Sequence, residues 1–133
     1  MTTFLDTSAL LALLDEDDLN HSRADDAWRQ LLGSDEPLVS TNYIVVESLA
    51  LVQRRLGMEA VKALESDLLP LLELAWIDEA THRSALRAFL TVSRRQLSFV
   101  DCSSFEVMRK RGLSRAFAFD RHFSEQGFEL IAQ

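Results

Sequence analysis

An α/β domain, with a central, mostly parallel sheet and helices layered on both faces in an α/β/α arrangement, is the architecture this sequence predicts. Three observations lead to it. Short apolar runs alternate with helix-periodic stretches along the whole chain. No repeat, low-complexity run or linker interrupts that alternation, so residues 1–133 read as one domain. Finally, 133 residues that are 47% hydrophobic and 26% charged describe a globular chain long enough to bury a core without a disulfide or structural metal. The single cysteine, Cys102, agrees, because it has no internal partner. With only 4 Gly and 2 Pro, most of the chain is free to form regular elements.

Taken in order, residues 2–5 predict a first strand, and Ser8 is placed to cap a helix over 9–15. Acidic residues 15–18 form a loop, and Asn20 is placed to cap a helix ending near Gly33. Residues 37–40 predict a second strand, after which Thr41 caps a long helix closed by Gly57. An amphipathic helix over 58–69 stops at Pro70, and 72–77 predict a third strand. Residues 79–95 carry Ala85, Leu86, Phe89, Leu90 and Val92 at helical spacing, and another helix covers 100–110 before Gly112. The last two strands are expected over 115–119 and 128–131.

No apolar run approaches the ~20 residues needed to cross a bilayer, and Met1 leads into a strand without a basic leader. The expectation is a cytoplasmic protein that does not engage a membrane. A net charge of −7 argues against nonspecific nucleic-acid binding, but the charge is uneven. Residues 1–82 carry 5 basic and 16 acidic side chains, whereas 83–121 carry nine basic and three acidic ones. The second segment is compatible with a basic surface, or with arginines lining solvated helix faces.

In open parallel sheets, ligands bind beyond the carboxyl ends of the strands, near a switch in strand order. Two predicted strands run apolar and then reach aspartate, at Asp6 and Asp120, and Asp101 follows Phe99-Val100 at a helix start. Each also suits a helix cap, although Thr7, Ser8, Ser103 and Ser104 offer other caps nearby. Glu47 lies within an apolar helical run on the face shared by Ile44 and Leu51, where a carboxylate is desolvated and needs a partner. The nearest basic residues on that face, Arg54 and Arg55, are two turns away.

Four carboxylates converging on one pocket repel one another and call for a cation. Thiolate ligands are absent, and His21, His82 and His122 show no ligand spacing, which disfavours zinc. An all-oxygen site suits Mg²⁺ or Mn²⁺, which leave positions open for water and phosphate oxygens. The chemistry that follows is metal-assisted attack of water on a phosphodiester.

The segments FLDTSAL at 4–10, NYIVVESLALV around Glu47, LSFVDCSSFEVMRKRG at 97–112 and AFAFDRHFSEQGFELI at 116–131 resemble the PIN-domain ribonucleases, most closely VapC-type toxins of bacterial toxin–antitoxin pairs. The resemblance spans nearly the whole chain, with four acids in the family's order. It implies that Asp6, Glu47, Asp101 and Asp120 are the catalytic, metal-binding acids and that the Ser8 hydroxyl supports them. It further implies a divalent-metal endoribonuclease acting on RNA, a homodimer, and inhibition by a small cognate antitoxin. Ala118 departs from the pattern, since many relatives carry a hydroxyl two residues before the fourth acid.

Two other readings remain open on the residues alone. A phosphoacceptor receiver domain shares the length, the acidity and a flavodoxin-like strand order, but needs an acidic pair near the first strand and a lysine after a late one. Here Thr7 follows Asp6, and Lys62 and Lys110 both fall in predicted helices. A noncatalytic binding module would use the acids only as caps. Trp28, Trp76 and the eight Phe read as core rather than as base-stacking platforms, and Cys102 as a small buried residue. His122 suits either a phosphate contact or a cover for the sheet edge.

Overall fold

The structure, a computed structural model, describes residues 1–132; Gln133, the last residue of the expected domain, lies outside them. Five strands, β1 (Thr3–Leu5), β2 (Leu38–Thr41), β3 (Glu73–Ala75), β4 (Arg115–Phe117) and β5 (Glu129–Ile131), form one sheet in the order β3-β2-β1-β4-β5. Every neighbouring pair is parallel. Helices α1 (Thr7–Leu14), α2 (His21–Gly33), α3 (Asn42–Leu56) and α4 (Met58–Ala63) make the crossovers from β1 through β2 to β3. The chain then doubles back through α5 (Glu79–Val92) and α6 (Phe99–Arg111) to β4, and α7 (His122–Glu125) leads to β5. Right-handed crossovers that run in opposite directions put their helices on opposite faces, which gives the three layers. Phe4, Leu5, Leu10, Ile44, Val52, Met108, Phe117 and Phe123 are fully buried between them.

The observed order is not the flavodoxin-like order of receiver domains, in which β1 lies between β2 and β3. That removes the phosphoacceptor reading. It also fixes the switch point between β1 and β4, where the sheet starts to grow the other way. Phe4 pairs with Val39 and Ala116, so two residues further on Asp6 stands level with Thr41 and Ala118. Asp6 and the segment leading to Asp120 therefore leave the sheet side by side.

Local chemistry explains most departures from the expected boundaries. Helix α1 starts at Thr7 and is capped by Asp6, not by Ser8. Thr41 does cap α3, accepting from Ile44 N at 3.1 Å, and Gly57 closes it at φ 91°, a left-handed conformation that favours glycine. Asn20 occupies the cap position of α2 without a side-chain bond to the helix backbone; its Oδ1 accepts from the Arg23 side chain instead. Beyond α4 the chain widens into a π turn (Leu64–Leu68) and tightens into a 3₁₀ turn (Leu69–Leu71). There Pro70 lies in the first positions, where no amide donor is needed. Helix α5 ends at Val92 rather than residue 95, since Ser93 is left-handed at φ 52°. Strand β4 ends at Phe117, and the short α7 is an element the periodicity did not suggest.

Trp28 is core, but Trp76 is 74% exposed and corrects the core expectation. It lies just past β3, the edge strand, where Ala75 and Ile77 on either side turn inward. Ile77 N donates to Asn42 Oδ1 at 2.7 Å, which pins that alternation and turns the indole to solvent. Of the nine basic residues of 83–121, Arg83, Arg94, Lys110, Arg111 and Arg115 pair with acids, so most of this segment lines ion-paired surface. Among the described residues, no helix is long and apolar enough to cross a membrane.

Candidate active site

Asp6, Ser8, Glu47, Asp101 and Asp120 line one cavity of about 240 Å³ at the carboxyl edge of the sheet, together with Thr7, Leu11, Leu51, Arg55 and Ser98. All five residues singled out from the sequence thus come together. Four separate elements deliver them. Asp6 caps α1 straight off β1, Glu47 projects from the second turn of α3, Asp101 stands in the first turn of α6, and Asp120 follows β4.

Three of the acids use one carboxylate oxygen to hold the backbone. Asp6 Oδ2 accepts from Ser8 N at 3.1 Å and from Ser8 Oγ at 2.6 Å. Asp101 Oδ2 accepts from Ser98 N at 3.1 Å while Asp101 N donates to Ser98 Oγ at 3.0 Å, a reciprocal capping box. Asp120 Oδ1 accepts from His122 N at 2.9 Å. Capping and pocket lining are therefore compatible roles. A single anchored oxygen fixes the carboxylate while the second stays available to a ligand.

Burial pushes the Asp6 carboxyl up to about 7 against the lowering effect of its Ser8 hydrogen bonds, and the charges of Asp101 and Glu47 add to the rise. Asp101 is likewise raised by burial, with the Asp120 charge adding to it. Such a set is electrostatically incomplete without a cation. Glu47 is half-buried rather than sealed in the core, because its helix face opens onto the cavity. Cys102 is buried, and its thiol is raised by burial and then by Asp101, as a small inert core residue should be. His122 is buried too; its Nδ1 lies 2.7 Å from Glu125 Oε1 and its Nε2 3.8 Å from Asp120 Oδ1, which places the ring between two acids.

Among the described residues, no three carboxylate, imidazole or thiol groups converge closely enough to hold one ion between them. A hydrated hard cation does not need them to. Mg²⁺ gives up its water reluctantly and binds through one or two carboxylates plus retained waters, and a cavity of about 240 Å³ has room for several. The all-oxygen donor set and the unbalanced buried charge both fit this ion.

Ser98 and Arg55 are pocket residues the sequence reading did not assign to the site. The Ser98-to-Asp101 spacing is a capping-box signature and places the start of α6 one residue earlier than expected. Arg55 follows Glu47 by two turns, a spacing that had marked it only as a distant counter-ion.

A PIN-domain family model matches residues 3–129. The chain belongs to the PIN-domain family. Mycobacterium tuberculosis VapC20, described as a 23S rRNA-specific endonuclease, is 35% identical over 127 residues, covering 94% of each chain. The crystal structure of M. tuberculosis VapC20, described as a toxin that cleaves the sarcin–ricin loop, superposes with a TM-score of 0.84 at 32% identity, covering 96% of each chain. Rickettsia felis VapBC2, bound to a DNA fragment from its promoter, shares the fold alone, with a TM-score of 0.72 at 10% identity over 98% of this chain and 97% of that one. The protein is accordingly an endonuclease of the VapC type, the kind found in toxin–antitoxin pairs.

Proposed function

We propose that this protein is the toxin of a toxin–antitoxin pair and hydrolyses RNA phosphodiesters at the cavity lined by Asp6, Glu47, Asp101 and Asp120. The observation that carries the proposal is the meeting of four acids, from four elements, at the switch point between β1 and β4. Mg²⁺ or Mn²⁺ bound there supplies a water activated for attack and neutralises charge on the phosphate. The protein's own part is to hold the carboxylates: Asp6 through Ser8, Asp101 through Ser98, and Asp120 through its own turn. The buried Asp6 must give up its proton for a cation to bind, which ties occupancy to pH.

The 35% identical relative makes 23S rRNA the first substrate to test. Residues 1–133 act in this reading as a single cytoplasmic nuclease domain, a homodimer held inactive by a cognate antitoxin. Support for the partner comes from the structures of FitAB, Salmonella typhimurium VapBC and R. felis VapBC2, named for paired proteins, whose fold this chain shares. The test is cleavage of 23S rRNA and of single-stranded oligoribonucleotides by purified protein. Cleavage that appears only with Mg²⁺ or Mn²⁺ and leaves a 5′-phosphate is the expected result. Undiminished cleavage in excess chelator overturns it, as do 2′,3′-cyclic products, which arise when the 2′-hydroxyl attacks.

A further inference from the structure

The carboxylate cavity has one basic residue in its lining, Arg55. Glu47, Leu51 and Arg55 are spaced four residues apart on α3, so they form one line along the helix, with Arg55 about 12 Å beyond Glu47 along the axis. Helical side chains lean toward the N-terminus, which directs the long arginine back toward the acids. Among the described residues Arg55 makes no ion pair, whereas most basic residues of 83–121 do. Its neighbour Arg54 shares the last turn of α3 and the same favourable interaction with the helix dipole, yet does not line the cavity. The dipole therefore accounts for a basic residue at either position but not for an unpaired one in the wall of the cavity.

An RNA strand entering an acidic cavity meets repulsion on every phosphate except where a cation faces it. We propose that Arg55 is a substrate-binding residue: its guanidinium holds a nonbridging oxygen of a phosphate adjacent to the one cleaved, and so sets the register of the strand across the four acids. The proposal rests on the nuclease reading for which phosphate is cleaved. The planar, five-donor guanidinium is suited to two hydrogen bonds with one phosphate, which a lysine supplies only as a point charge.

The test measures binding of a labelled single-stranded oligoribonucleotide by fluorescence anisotropy from about 50 to 200 mM salt. Asp101→Asn protein, once shown not to cut the oligonucleotide, is the parent, and Arg55→Gln, Arg55→Lys and Arg54→Gln are added to it in turn. Arg55→Gln is expected to weaken binding about tenfold and to flatten the slope of log affinity against log salt by about 0.7. Arg55→Lys keeps the slope but loses part of the affinity, and Arg54→Gln matches the parent in both. Oligonucleotides carrying one uncharged methylphosphonate at each position in turn then locate the contact. Next to the bond that wild-type protein cuts, the methylphosphonate and Arg55→Gln losses should fail to add.

An unchanged salt slope in Arg55→Gln, an equal effect of Arg54→Gln, or additive losses at every position overturns the contact. Wild-type protein that binds with the Arg55-dependent slope but never cuts RNA in Mn²⁺ overturns instead the hydrolytic reading. Intact cleavage with no Arg55 effect on KM or salt slope overturns the contact alone.

Discussion

The Ser8 hydroxyl donates to Asp6 Oδ2 at 2.6 Å and accepts from Phe119 N at 3.0 Å. One oxygen atom thus ties the acid after β1 to the backbone just before the acid after β4. The two strands are sheet neighbours, and Asp6 N donates to Phe117 O at 3.1 Å, so the hydroxyl extends the ladder by one side-chain link. It also favours the charged form of Asp6, opposing the burial that works against it.

Ser8→Ala should therefore lower the RNA cleavage rate about 10- to 100-fold, the usual loss when a group supporting metal-site ligands is removed. Stability should fall by about 1–2 kcal/mol in urea melts, because Phe119 N loses its acceptor. Carboxyl NMR should find Asp6 titrating still higher than in the parent, and an unchanged titration would show that the hydroxyl does not act on Asp6.

Stability without metal should fall as pH rises from about 4 to about 7. Asp6 is raised from 3.8 to about 7 in the folded chain, so across that window the folded state binds more protons than the unfolded one, and each deprotonation costs stability. The loss is complete above the folded value and absent below the unfolded one. For a shift of about three units it is on the order of 4 kcal/mol at most. Thermal melts in chelator across this range check it, and Asp6→Asn should flatten the profile. Added Mn²⁺ should raise the melting temperature more at pH 8 than at pH 5, since protons compete for the same oxygens.

Asp101→Asn separates capping from metal binding. An asparagine oxygen can still accept from Ser98 N, so the capping box survives while one charge leaves a repelling cluster. Cleavage should be abolished, and the metal-free protein should melt no lower than the parent. Retained activity would reduce Asp101 to a cap.

Trp28→Ala should cost about 3–5 kcal/mol, as for other large core truncations. Trp76→Ala should change stability by no more than about 0.5 kcal/mol, because its ring lies mostly in solvent. Equal losses at the two positions in denaturant melts would contradict the burial assigned here.

The contrast between the two tryptophans shows where sequence reasoning stops. Hydrophobic periodicity located all five strands, and the apolar runs ending at Asp6 and Asp120 pointed to the correct edge of the sheet. Periodicity does not say which strand lies at an edge, so Trp76 read as core until the order β3-β2-β1-β4-β5 was known. Strand order is a tertiary property, and it is also what separated this fold from a receiver domain. The start of α6 was missed for a different reason. Ser98 to Asp101 carries a local signal, but Asp101 serves both as a site acid and as the third residue of the capping box, and the sequence alone does not separate the two roles. Arg55 depended on helix rotation, which residue spacing alone leaves open by tens of degrees.

The most direct measurement of the central claim, that the cavity lined by Asp6, Glu47, Asp101 and Asp120 takes a hydrated divalent cation, is a Mn²⁺ titration followed by electron paramagnetic resonance of the free ion. Wild-type protein at pH 8 should remove Mn²⁺ from the free signal. Asp6→Asn, Glu47→Gln, Asp101→Asn and Asp120→Asn should each weaken that binding by about tenfold or more, the scale seen when metal-site groups are lost. Mn²⁺ binding that is the same in all four variants as in the wild type would contradict the account.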